Sequence, residues 1–483
     1  SDRLTVTAGV RADAPFFDSP RTNALLVTTQ ILGPIDTGHF PSGNAVVAPR
    51  IGFAWQLGQN RNSLLRGGAG VFTGRPPFAW ITSAYSNTGQ EQTILTCRRA
   101  DGVPAPTTDI RKLPSRCLNT TALPPVASVN YFPSDFRFQQ AVKYAVGLDH
   151  DFGNALTGSV DIIHTRGRDD LFVNDVNLLD RGSNSEGREM YGSIGSDGVS
   201  RQTRLDSTSF GGIYSYGNVS ADRSTSISAS MERRWRSGAN LHLSYSWSRT
   251  LDVMSMTGFT SSVIYRNNPV DGTLAHRILR RSGRDIPHSF AATGSAPLAF
   301  GMTASFFWRA RSGTPFAYTV NGDANADGTR GNDLSYIPLA QDDISLSNLS
   351  AYPALDGFIE SQSCLRVQRG RMMTRNSCRN PLVTSIDTRL SRKFFTTRGR
   401  NLEIGADFFN VANLLNRSWG LVRETTATET APLLSISGWD AVKGRPRYAI
   451  PVASNGEAVL PPVNKVAPDP SRWRMQVGVR YDF

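Results

Sequence analysis

Apolar and polar residues alternate with a period of two through much of this chain, the spacing of a strand whose two faces meet different surroundings. In the last eleven residues, Trp473, Met475, Val477, Val479, Tyr481 and Phe483 share one face, and Arg474, Gln476, Gly478, Arg480 and Asp482 the other. A second clear case is a hairpin. Ile227, Ala229, Met231, Arg233 and Trp235 face one way, Ser226, Ser228, Ser230 and Glu232 the other. After a turn at 236–240, Leu241, Leu243, Tyr245 and Trp247 alternate with His242, Ser244, Ser246 and Ser248. Strands of this kind are predicted near 3–11, 48–57, 63–73, 139–150, 155–166, 224–235, 240–250, 286–295, 300–311, 383–394, 401–411 and 473–483, about twelve in all.

Their connections are of two kinds, in strict alternation. Short turns fall near 58–62, 151–154, 236–240, 296–299 and 395–400, and long segments occupy 12–47, 74–138, 167–223, 251–285, 312–382 and 412–472. Long structureless loops count against a compact soluble domain, whereas outer-membrane barrels have short periplasmic turns and long external loops by rule. The terminal strand agrees. Ten rises of about 3.3 Å carry it roughly 33 Å, and a tilt of about 40° leaves roughly 25 Å of height, that of the apolar band of such a barrel. The predicted fold class is therefore all-β, a transmembrane antiparallel β-barrel in the outer membrane of a Gram-negative bacterium, with lipids against its apolar faces.

Composition narrows the alternatives. Of the 483 residues, 39% are hydrophobic and 19% charged, low values for a soluble domain. No sustained helical periodicity supports an α/β enzyme. The longest uncharged run, 289–308, could span a membrane as a helix by length, but Gly294, Pro297 and Gly301 break it into two strands around a turn. The net charge of +12 invites a nucleic-acid partner. Its Arg-rich spots, 233–236 and 277–284, lie in no recognisable nucleic-acid-binding frame, so the arginines are assigned to a polar lumen, the interface or lipid phosphates. Neither a start Met nor a signal peptide is present, which for a secreted-class protein places Ser1 after further chain.

Cys97, Cys117, Cys364 and Cys378 fall into two local pairs without zinc-site spacing. In an oxidising compartment each pair would close a short surface loop. Asp323, Asn325 and Asp327 stand at positions one, three and five of a calcium-loop opening, with Gly328 at six. Position twelve is Leu334 rather than Glu, so Asp333 would have to complete the site; otherwise the segment is an Asx-rich turn. Gly67, Gly68, Gly70 and Gly74 lack the ending of a phosphate loop and read as room for a neighbouring element in a strand. The histidines at 39, 150, 164, 242, 276 and 288 are scattered, and no nucleophile or acid–base constellation emerges. The chain is read as a non-enzyme without an obligate cofactor.

Several segments together resemble the C-terminal part of TonB-dependent outer-membrane receptors, in particular the Oar-like branch. They are 48–55 (APRIGFAW), 65–72 (LRGGAGVF), 285–290 (DIPHSF), 312–316 (SGTPF), 387–391 (DTRLS), 406–413 (ADFFNVAN) and the terminal strand. The resemblance implies a 22-stranded barrel enclosing an N-terminal plug, preceded by a TonB-binding box. Twelve strands would make this chain, over 1–483, the C-terminal portion of that barrel, with plug and box absent. It also implies a barrel-assembly signal at Val479, Tyr481 and Phe483, read by the assembly machinery, and an extracellular ligand taken up with TonB acting through the missing plug. Arg389, Lys393, Arg474 and Arg480 on the predicted lumen face hint at an anionic or polar cargo. The competing expectations are a scaffold or adhesion protein of the same membrane, a self-contained twelve-stranded pore, and a soluble all-β lectin or propeller.

Overall fold

The computed structural model describes residues 3–29, 33–92, 95, 97, 99–120, 126–258, 260–395 and 401–482. Twelve long strands form an antiparallel meander, each paired with the next. They are β1 Leu4–Asp13, β2 Val46–Leu57, β3 Ser63–Thr73, β4 Gln140–Gly153, β5 Leu156–Arg168, β6 Arg223–Arg234, β7 Asn240–Asp252, β8 His288–Pro297, β9 Met302–Arg311, β10 Val383–Phe395, β11 Asn401–Phe409 and β12 Arg474–Asp482. Each coincides with a predicted strand. β11 stops short of its expected end because Asn410 turns left-handed, at φ 52°, and opens a short helix at Val411–Leu415.

The register aligns like with like. Ala229 opposes Tyr245 and Met231 opposes Leu243, while Val477 opposes Ala406 and Val479 opposes Ile404. One face of the sheet is thus continuously apolar and exposed, Val477 to 62% and Val479 to 67%. In water such a surface would drive association; in the outer membrane it meets lipid. Among the described residues no helix is long and apolar enough to cross a membrane.

The opposite face is polar and carries two arginine–carboxylate clusters. Arg66 on β3 pairs with Asp149 on β4 at 2.7 Å and Asp161 on β5 at 2.8 Å. Gly147 lies opposite Arg66, where a Cβ would collide with both Arg66 and Asp161. The same device recurs across the sheet: Arg389 on β10 bonds Glu403 at 3.0 Å and Asp407 at 2.9 Å on β11, over Gly405. The Arg389 guanidinium is thus paired within the wall, with 44% of its side chain still exposed. Gly67, within β3, is covered by the Phe53 ring.

Short turns join β2 to β3, β4 to β5, β6 to β7 and β8 to β9 at one end of the sheet; the turn at 396–400 lies outside the described residues. Asn154 and Ala155, both left-handed at φ 52° and 54°, make the two-residue turn whose twist matches its strands. At the other end are the loops L1 (14–45), L2 (74–139), L3 (169–222), L4 (253–287), L5 (312–382) and L6 (410–473). These are not structureless, as the alternation of short and long connections suggested. In L5, Pro315–Asn321 pairs in parallel with Thr430–Asp440 of L6, and Ile213–Val219 of L3 pairs in parallel with Val129–Tyr131 of L2. Tyr318, Val320, Leu334, Ile337, Leu355, Ile359 and Tyr448 form one core of the resulting cap, and Trp80, Phe132, Tyr216, Ile264 and Tyr265 belong to another. Burial of this apolar surface offsets the entropy of ordering such long loops.

Candidate functional site: the loop cap

Charged groups that cross between loops lock the cap. Arg375 of L5, 1% exposed, donates to the Asp252 carboxylate at the end of β7 (2.6 Å) and to the Ser255 hydroxyl of L4 (3.3 Å). Its backbone N–H donates to Asp271 at 3.0 Å. Arg379 reaches Asp285 at 2.6 Å and the Gly313 carbonyl at 2.7 Å. Arg188 of L3 bonds Asp333 of L5 at 3.2 Å and the Leu334 carbonyl at 2.7 Å. Charges this deeply buried persist where partners replace lost water.

Cys364 is bridged to Cys378, closing the segment that carries Arg375, and Cys97 to Cys117, within L2. The first bridge holds Arg375 on the L5 side of its ion pair. Sequence spacing indicates the cysteine pairs but not what they hold in place.

Asp323, Asn325, Asp327 and Asp333 come together in one buried turn. Asp323 accepts from the N–H groups of Asp327 and Gly328 and from the Ser200 hydroxyl. Asn325 accepts from the Asp327 N–H, and Asp327 accepts from the Thr329 N–H and the Asn332 amide. Asp333 accepts from the Ala324 N–H at 2.6 Å and from Arg188. The oxygens expected to gather round calcium are thus engaged by the turn's own donors and by Ser200 and Arg188 of L3. No three or more His, Cys, Asp or Glu residues among those described are disposed to hold one metal ion. Burial, reinforced by the charges of Asp333 and Asp327, pushes the Asp323 carboxyl up to about 8. Burial raises Asp333 to about 6 against the opposing pull of Arg188, and it raises Asp327 as well.

Beside this turn, L4, L5 and L6 enclose a cavity of about 570 Å³ above the β8–β9 hairpin, within the usual size range of small-molecule sites. Its lining includes Arg266 and Arg284 of L4, Arg330 of L5, and Thr428 and Glu429 of L6. Arg330 extends from the same turn as Asp323 and Asp333. The Arg-rich stretch 277–284 contains one member of this group, but residues from three loops meet only after folding.

Of the three residues expected to form an assembly signal, Val479 and Tyr481 lie on the exposed apolar face of β12, and Phe483 lies outside the described residues.

Residues 1–430 match the family model described as an outer membrane beta-barrel domain. No curated protein matches the chain. Among solved structures, the outer membrane transporter YddB from Escherichia coli is similar over 91% of this chain and 41% of its own, at 12% identity and TM-score 0.45. The FrpB iron transporter from Neisseria meningitidis is similar over 85% and 38%, at 9% identity and TM-score 0.39. A ferric enterobactin receptor (PfeA) mutant from Pseudomonas aeruginosa is similar over 83% and 37%, at 8% identity and TM-score 0.39. The chain thus spans 37–41% of the length of these three structures.

Proposed function

We propose that this chain, which belongs to the outer membrane beta-barrel domain family, is the barrel wall and outer cap of a TonB-dependent, Oar-like receptor. The loops would capture an extracellular ligand, and a plug outside this chain, displaced by TonB, would admit it. The twelve strands would form the C-terminal part of a 22-stranded barrel, with Val479, Tyr481 and Phe483 read by the assembly machinery. The observation that carries this reading is the cap itself, whose loops are cross-linked by buried ion pairs beside a cavity at the strand rim that three arginines line. A pre-ordered cavity binds with less loss of chain entropy than a mobile loop.

The test is ligand accumulation by cells producing the full-length gene, with and without TonB. Uptake that depends on both TonB and L4–L6 supports the reading. Binding to the cells that is unchanged without TonB, with no accumulation, points instead to a scaffold or adhesion protein. Conductance by the chain alone in planar bilayers would point to a self-contained pore.

A further inference from the structure

We infer that the cavity between L4, L5 and L6 binds a compact oligoanion, a ligand carrying two or more carboxylate or phosphate groups. The inference rests on the reading of the cap as a capture surface and gives that surface a ligand class.

Three guanidinium groups line the cavity, and each has N–H groups to spare. Among the described residues Arg266 donates to the carbonyl and hydroxyl of Ser262, one helical turn away. Arg284 donates to the Met256 carbonyl at 3.0 Å. Arg330 is exposed and has no side-chain hydrogen bond or ion pair among the described residues. Several other arginines are neutralised by carboxylates, while buried Arg277 and Arg445 are held through carbonyl and hydroxyl oxygens. Arg66 and Arg389 are each clasped by two carboxylates, and Arg188, Arg375 and Arg379 each have an Asp. Gathering three cations round one cavity without such partners raises their mutual repulsion, which a bound anion relieves.

One acidic residue, Glu429, lines the same cavity, so the arginines outnumber it three to one. Its carboxylate accepts from the Asn376 amide at 3.2 Å. The arginines also rest on fixed supports. Arg330 sits on the turn pinned through Asp323, Asp327 and Asp333, with Gly331 N–H donating to the Gly322 carbonyl at 3.0 Å. Arg284 is flanked by Gly283, whose N–H donates to Ser255, and by Asp285, held by Arg379. Guanidinium forks set in this way suit the paired oxygens of carboxylate or phosphate.

The test is calorimetric titration of the detergent-solubilised full-length protein with tricarballylate, tripolyphosphate and neutral maltotriose. Saturable binding of at least one anion, absent for maltotriose and weakened by salt, is expected, and the tighter anion separates carboxylate from phosphate recognition. Arg330→Gln should weaken it about tenfold, the scale of a lost charge-assisted bond, and the triple variant R266Q/R284Q/R330Q should abolish it. Heat-modifiable gel migration checks folding; if the triple variant is misfolded, Arg330→Gln decides, since Arg330 is exposed and has no side-chain hydrogen bond or ion pair among the described residues. No saturable anion binding, or binding unchanged in the variants, overturns the inference. TonB-independent behaviour with anion binding intact would remove the transport reading alone, and TonB-driven uptake of a ligand that neither anion displaces would remove this inference alone.

Discussion

The Arg375 guanidinium lies 2.6 Å from the Asp252 carboxylate, joining the fifth long loop to the end of a membrane strand. Both partners are buried, at 1% and 9% side-chain exposure, so neither can turn to water if the other is lost. The pair makes the cap an extension of the wall and sets the geometry of the cavity beside it.

Arg375→Met should therefore loosen the cap by about 3–5 kcal/mol, the scale for stranding one member of a buried pair. Proteinase K cleavage within L4 and L5 of the folded barrel measures this. The double variant R375M/D252N should lose less than the sum of the single losses, because no unpaired charge remains. Additive losses would show that the two residues act separately.

Reduction of the Cys364–Cys378 bridge should release the same segment. Closing a loop of about fifteen residues contributes roughly 3 kcal/mol in the chain-entropy account. Reductant, or the C364S/C378S variant, is expected to open L5 to protease while leaving the sheet heat-modifiable. Unchanged cleavage would show that core burial alone holds the segment.

In the wall, Arg66→Gln should cost no more than about 1 kcal/mol, since the pair is partly exposed and surface ion pairs contribute little. Gly147→Val should cost more, because its side chain would occupy the space of the Arg66–Asp161 pair. Urea unfolding followed by tryptophan fluorescence ranks the two. The reverse order would mean that the glycine is not there to make room.

Cap stability should depend on pH through Asp323. Its folded pKa of about 8 lies above the ordinary 3.8, so the fold favours the protonated acid. The stabilising contribution is then complete below about pH 4 and is lost as pH rises through 8. Asp333, at about 6, acts in the same direction over a lower range. Proteinase K resistance of L5, corrected for protease activity, should fall between pH 5 and 8.5.

Calcium at millimolar concentration should leave that resistance unchanged, because the turn's oxygens already accept its own N–H groups and Arg188. Protection by calcium at pH 8 would instead identify the turn as an ion site.

The strands could be read from the sequence because each carries its own evidence. In β12, Met475, Val477, Val479 and Tyr481 must share a face whatever surrounds them, since the pleat has a period of two, and lipid on one side enforces the alternation. Turn length likewise places L1–L6 together at one end. The cap could not be read this way. Its pairings, such as Ala317 with Thr430 and Arg188 with Asp333, join residues more than a hundred positions apart, and most of its strands are too short for a periodic signal. The Asp323 turn shows the same divide. Its composition allowed an ion site or an Asx turn, and the directions of the Asp323 and Asp333 carboxylates depended on Ser200 and Arg188 arriving from L3. Arg266, Arg284 and Arg330 have no local motif at all; they become a site because three separately anchored loops converge above the β8–β9 hairpin. Local chemistry is written in consecutive residues, but a cavity between loops depends on packing among segments distant in the chain.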